Sequence, residues 1–257
     1  MNILMTGASG AIGQKLAQSL AKEGHSILLI VREESVGEAL LQSLQRNADQ
    51  QHLLIVADIN HSSCRQKIEQ QIKAKQLDML INLAGINQFA QFSEQLDQDI
   101  EKIIQTNVIS AMLLTKQLLT HFSEHQKATI INVGSTLGAI GHPGYVAYCT
   151  SKFALRGFSE ALDRELADSS IQVKYFAPRT TQSTINSEQA VAMNKTLGNT
   201  VDSVDLVVNE FMSFIKTPQK QRYLGWPEKL FVKVNAVFPC LVSMALKSKL
   251  AKIKQYI

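Results

Sequence analysis

Cysteine is scarce in this 257-residue chain: Cys64, Cys149 and Cys240 are odd in number and far apart. That spacing suggests neither a disulfide framework nor a zinc site, and it fits a reducing, cytoplasmic compartment. A basic start followed by an apolar core and a small-residue cleavage site is also missing. "MNILMTGASG" enters a strand pattern at once, so an exported precursor is not expected. No repeat, low-complexity tract or Pro/Gly-rich linker interrupts the sequence, which reads as one domain. A broad basic face with aromatics is absent, so no nucleic-acid partner is expected. His121 and His125 share a helical face but lack a third ligand, so no metal site is expected either.

The charge that is present is uneven. Residues 226–257 hold six lysines and one acid, Glu228, whereas residues 1–225 are nearly balanced. The net charge of +4 therefore belongs to the C-terminal end.

Short apolar runs at 2–6, 26–31, 52–57, 78–82, 128–133, 171–176 and 221–225 read as strands covered on both faces. Helical patterns lie between them, near 11–23, 35–47, 61–75, 97–124, 145–168 and 201–216. This alternation predicts an α/β fold, a Rossmann-type doubly wound parallel sheet of about seven strands. Residues 1–225 would form that domain and 226–257 a helical C-terminal extension. The polar, weakly periodic stretch 179–200 follows a strand end, where open α/β sheets collect binding loops, and reads as a mobile substrate lid.

"TGASGAIG" at 6–13 sits between the first strand and the first helix. Gly7 suits a tight turn and Gly13 close helix–strand packing. The amides around Ser9, Gly10 and Ile12 can meet a pyrophosphate at the helix N-terminus. Asp58, with Ile59 beside it, follows the third strand and can accept from an adenine amine. "NLAG" supplies Asn82, Ala84 and Gly85, small enough at the fourth strand end for a ribose to approach. At the second strand end Arg32 suits a 2′-phosphate, while Glu33 and Glu34 oppose one or engage Arg32. NADP(H) is favoured and NAD(H) is the alternative.

Tyr148 and Lys152 in "AYCTSK" are one helical turn apart, and Ser135 ends the fifth strand in "INVGSTLGAIG". Asn107 lies in "QTNVIS". With the glycine turn, Asp58 and "NLAG", these residues resemble the short-chain dehydrogenase/reductase family over about residues 2–183. The resemblance implies catalytic roles for Asn107, Ser135, Tyr148 and Lys152. Tyr148 would exchange a proton with the substrate oxygen, its phenolate stabilised by Lys152, and Ser135 would hydrogen-bond that oxygen. Lys152 would also bind the nicotinamide ribose, and Asn107 would hold a water linking it to solvent. Pro178, Thr181 and Ser183 match positions near the carboxamide end of the cofactor. Ala11, Leu83 and Arg179 depart from the family pattern, the last two replacing an asparagine and a glycine.

The extension carries apolar residues at 230, 234, 237, 238, 241 and 245, a helical stripe that Pro239 should kink or divide. It is too short and interrupted to span a bilayer comfortably. It reads as a cover for the pocket or a partner, or as a peripheral membrane contact. The expected protein is a cytoplasmic, homo-oligomeric enzyme that passes a hydride between NADP(H) and a ketone or secondary alcohol. A lipophilic or 3-oxoacyl substrate is a candidate. A non-catalytic cofactor-binding regulator and a membrane-recruited scaffold are the alternatives.

Overall fold

The computed structural model describes residues 1–73, 75–122, 127–183 and 185–257. Seven parallel strands form one sheet in the order β3-β2-β1-β4-β5-β6-β7. The strands are β1 (Asn2–Thr6), β2 (Ser26–Val31), β3 (Leu53–Val56), β4 (Met79–Asn82), β5 (Ala128–Val133), β6 (Ile171–Ala177) and β7 (Gln221–Tyr223). Side chains alternate across a strand, so a near-continuous apolar run supplies both faces of a covered sheet. Ile3 and Met5 of β1, with Ile131 of β5 and Phe176 of β6, face one core. Leu4 of β1, with Leu28 of β2, Leu80 of β4 and Ile130 of β5, face the other. Each fully buried aliphatic side chain contributes about 1.5–3 kcal/mol over its exposed state.

The first core is closed by α1 (Ala11–Lys22), α2 (Glu34–Ser43) and α8 (Val204–Ile215), through Leu16, Leu20, Leu40, Phe211 and Phe214. The second is closed by α3 (Ser62–Ile72), α5 (Ser110–Leu118) and α6 (Val146–Glu165), through Ile68, Leu114 and Leu162. Strand order reverses between β1 and β4, and a crevice opens there beyond the strands' carboxyl ends. Thr6 Oγ1 accepts from the amides of Leu83 and Ala84, both at 3.1 Å, which holds the two crevice lips together.

Two elements differ from the sequence expectation, and a third, the extension, is divided as expected. The helix expected at 97–124 is α4 (Asp97–Ile104), a π turn at Gln105–Ile109, α5 and a 3-10 turn at Leu119–His121. Its expected end and His125 lie outside the described residues. The loop expected at 179–200 contains α7 (Glu188–Thr196), capped by Ser187 accepting from the Ala190 amide. Pro239 divides the extension into α9 (Glu228–Val237) and α10 (Pro239–Ile253), with non-helical backbone at Phe238. That break puts one stripe on two differently aimed helices. Val232, Val242 and Ile253 are therefore the buried positions, while Leu230, Val237, Phe238 and Leu241 are exposed.

α9 and α10 lie back on the sheet domain. Asn235 donates to the Ala139 carbonyl at 2.8 Å, and Ile253 packs with Tyr145, Cys149, Ala190 and Met193.

Candidate active site

The crevice widens into a cavity of about 860 Å³ reaching from the β1 turn to α9 and α10. Gly7, Ser9, Gly10, Ile12 and Gly13 line one end, with Arg32, Asp58, Ile59, Ala84 and Gly85. The glycines are needed where they stand. Gly7 has φ +69°, and a Cβ there would lie 2.7 Å from the Ala84 nitrogen. A Cβ on Gly13 would lie 2.2 Å from the Gly7 carbonyl oxygen. No side chain caps α1, so its first turn is left for a ligand on the cavity wall. An anionic dinucleotide fits this cradle.

Arg32 is exposed at the β2 end and makes no ion pair among the described residues. Glu33 instead accepts from the Ser35 hydroxyl at 3.0 Å. The guanidinium is thus free for an anion. Asp58 uses one carboxylate oxygen for the Asn60 amide at 2.9 Å, an Asx-type turn that fixes its orientation.

Asn82 does not line the cavity, contrary to its expected contact with cofactor. It is the buried last residue of β4, and its amide donates to Thr115 Oγ1 at 3.0 Å and Asn132 Oδ1 at 2.8 Å. Asn132 passes the chain to Ser159 Oγ at 2.9 Å. Asn82 therefore ties β4 and β5 to α5 and α6.

Ser135, Tyr148 and Lys152 converge on the middle of the cavity wall. The 3.6-residue period puts Tyr148 and Lys152 on one face of α6. The Lys152 Nζ lies 5.7 Å from the Tyr148 ring centroid and donates to the Val133 carbonyl at 3.0 Å. Burial lowers the Lys152 ammonium to about 8. Burial also pushes the Tyr148 phenol well above its ordinary value, and a hydrogen bond to Ser135 opposes this only in part. Tyr148 thus keeps its proton near pH 7 and can donate it. The phenol is raised because it is desolvated, and the Lys152 ammonium beside it is itself turned to a carbonyl.

Asn107 does not line the cavity wall itself but lies just behind it. Inside the π turn, its Oδ1 accepts from the Ile86 amide at 2.8 Å. Its Nδ2 donates to the Ile86 carbonyl at 2.9 Å and to Ser151 Oγ at 3.0 Å. Ser151 in turn donates to the Tyr148 carbonyl at 2.7 Å. Asn107 thereby ties the Gly85–Ile86 lip to α6. Gly85 makes room for it, since a Cβ there would lie 3.3 Å from Asn107 Oδ1 and 3.4 Å from Lys152 Nζ.

Sequence reasoning missed Tyr175. Its buried hydroxyl accepts from the Ser135 amide at 3.4 Å and donates to the Ser135 carbonyl at 3.3 Å. A Cβ on Gly134 or Gly138 would strike that hydroxyl, at 2.0 and 2.3 Å. The paired glycines around Ser135 were the available signal; their partner 40 residues on was not. Missed as well was Asn87, whose Oδ1 is a buried acceptor without a partner among the described residues, on the cavity wall.

Beyond β6, Pro178, Thr181 and Ser183 line the cavity as expected. Arg179 closes a latch: it donates to Asp202 at 2.7 Å, Glu228 at 2.8 Å and the Trp226 carbonyl at 3.0 Å. These contacts, the Asp202 bond above all, raise its guanidinium still further. The residue that replaces a glycine thus fastens the β6 loop to the start of α9. The far cavity wall is Met193 and Leu197 near α7, with Phe231, Val242 and Leu246 from the extension.

The sequence matches the short chain dehydrogenase family over residues 1–194. It is 32% identical over 174 residues to carbonyl reductase family member 4 of Danio rerio, covering 67% of this chain and 72% of that protein. It is 31% identical over 175 residues to 3-oxoacyl-(acyl-carrier-protein) reductase FabG of Escherichia coli (strain K12), covering 68% and 71%. A solved short-chain dehydrogenase from Sphingobium yanoikuyae in complex with NADPH superposes with a TM-score of 0.79 at 23% identity, covering 94% and 95%. A 3-ketoacyl-(acyl-carrier-protein) reductase from Brucella melitensis complexed with NADH gives 0.77 at 22% identity, covering 88% and 97%. At those identities the structural likeness shows the fold alone.

Proposed function

Because the chain belongs to the short-chain dehydrogenase/reductase family and is an NAD(P)-dependent oxidoreductase of carbonyl and alcohol groups, we propose that it reduces a ketone on an apolar or acyl chain with NADP(H). A 3-oxoacyl thioester is the candidate substrate, the class for which the Escherichia coli relative is named. The carrying observation is Tyr148 beside Ser135 and Lys152, in a cavity whose far wall is Phe231, Val242 and Leu246.

The nicotinamide cofactor, when bound, supplies the hydride. The glycine turn and Arg32 would hold its phosphates, Asp58 its adenine, and Lys152 its nearer ribose. Ser135 would donate a hydrogen bond to the ketone oxygen as negative charge develops there, and Tyr148 would deliver the proton that makes the alcohol. Tyr175 holds the Ser135 backbone from below, so the hydroxyl is presented without reorganisation. The partnerless Asn87 Oδ1 can accept from a polar group of the substrate.

Turnover of a panel of 3-oxoacyl thioesters of graded chain length, followed by nicotinamide absorbance with NADPH and with NADH, tests the reading. Activity that rises with chain length and prefers NADPH is expected. Cofactor binding without turnover of any ketone would instead favour a regulator that senses the cofactor.

A further inference from the structure

The extension buries few of its large apolar side chains. Trp226 is 68% exposed, Val237 67%, Met244 60% and Phe238 57%, with Leu230 and Leu241 near half. They are not scattered. Leu230 and Val237 are seven residues apart on α9, and Leu241 and Met244 are three apart on α10, each pair on one helix face. The two helices pack against each other, and Phe238 stands at their junction. Lysines share these faces: Lys233 lies between Leu230 and Val237, and Lys247 one turn beyond Met244.

The charge of this surface is of one sign. Lys229, Lys233, Lys247, Lys249, Lys252 and Lys254 make no ion pair among the described residues. The lone acid, Glu228, is already held by Arg179. An apolar patch rimmed by unopposed lysines complements an apolar boundary under a layer of anions. A second copy suits it poorly, since a two-fold contact would set one lysine rim against its twin. None of the described helices is long and apolar enough to cross a membrane. The same helices wall the cavity through Phe231, Val242, Leu246 and Lys249.

We propose that the exposed face of α9 and α10 docks on the surface of an anionic lipid bilayer and sets the substrate end of the cavity against the acyl boundary. The docking stands apart from the proposed reductase activity; the delivery of a lipid-dissolved substrate rests on it.

Trp226 is the sole tryptophan and is exposed two residues before α9, so the unlabelled protein reports its own insertion. Its emission is measured with vesicles of phosphatidylcholine alone and of phosphatidylcholine mixed with phosphatidylglycerol, with and without brominated acyl chains. A blue shift and bromine quenching are expected on the anionic vesicles at low salt, both lost at high salt. Lys247, Lys252 and Lys254→Gln together should weaken binding roughly 100-fold, about fivefold per lysine. Val237, Leu241 and Met244→Ser should abolish quenching while leaving reduction of a short soluble ketone unchanged.

No quenching by anionic vesicles at low salt overturns the docking. So does binding that neither variant weakens. A self-association in sedimentation velocity that the serine variant removes, with Trp226 never quenched, assigns the face to a second copy and overturns it too. Docking that persists while no ketone is reduced keeps the surface and removes the delivery.

Discussion

Lys152 shows how a single buried position sets chemistry. An ammonium on α6 is ordinarily solvated; here, among the described residues, the Val133 carbonyl is its one acceptor, and burial lowers it to about 8. Its charge is therefore lost as pH rises past that value. If kcat/KM reports the free enzyme, it should fall above about pH 8 for ketone reduction, roughly tenfold per pH unit once the lysine is neutral. Tyr148, raised by burial, stays protonated throughout and adds no limb there. A profile flat from pH 7 to 10 contradicts the role given to Lys152. The stability sign is the opposite: the unfolded chain binds the proton more tightly, so Lys152 makes folding stability rise with pH between about 8 and 10.5. Arg32 acts through its freedom from partners. Arg32→Asp should weaken NADPH binding by two orders of magnitude or so, and NADH binding only slightly, in fluorescence titration. Equal losses for both cofactors would place the 2′ recognition elsewhere. The identity of these side chains was legible in the sequence because motif order and spacing name them. Their protonation was not, because desolvation depends on what the fold packs over them.

Among the elements, those that repeat a period were legible and those that break one were not. The seven strands and the first, second, third, sixth and eighth helices follow from apolar runs and their spacing. The π turn at Gln105–Ile109 leaves no mark in such a pattern, since it inserts one residue into a helix that is apolar on both sides. α7 was hidden because its apolar content is small: only Ala190 and Met193 face a core. Arg179 looked like a departure from a glycine and proved to be a latch among the β6 loop, Asp202 and α9. Removing it leaves Asp202, buried, with an unpaired charge. Arg179→Ala should lower unfolding stability by about 3 kcal/mol in urea denaturation. It should raise KM for a long-chain ketone more than it lowers kcat, because α9 carries part of the far wall. Asp202→Asn in the same chain should restore part of the stability but not the KM. An unchanged KM in the single variant would show that the latch does not position α9.

For the whole molecule, the doubly wound sheet brings residues from 6 to 249 around one cavity, and two halves of the chain build its two ends. The cofactor end comes from the strand-end turns, which is why it could be read from local motifs. The substrate end comes from α7, α9 and α10, joined by long-range contacts such as Asn235 with Ala139. The division at Pro239 was legible in the sequence, but which stripe residues turn inward was not, because that depends on how the two helices pack on the domain. The central claim is that this cavity reduces a ketone with Tyr148 as the proton donor. It is tested most directly by comparing the wild type with Tyr148→Phe for NADPH binding, by fluorescence titration, and for NADPH consumption with a 3-oxoacyl thioester. The phenyl ring keeps the packing and loses only the hydroxyl. Binding within a few-fold of wild type with turnover reduced by about 10²–10⁴ is the expected result. Turnover in Tyr148→Phe comparable to wild type would contradict the account.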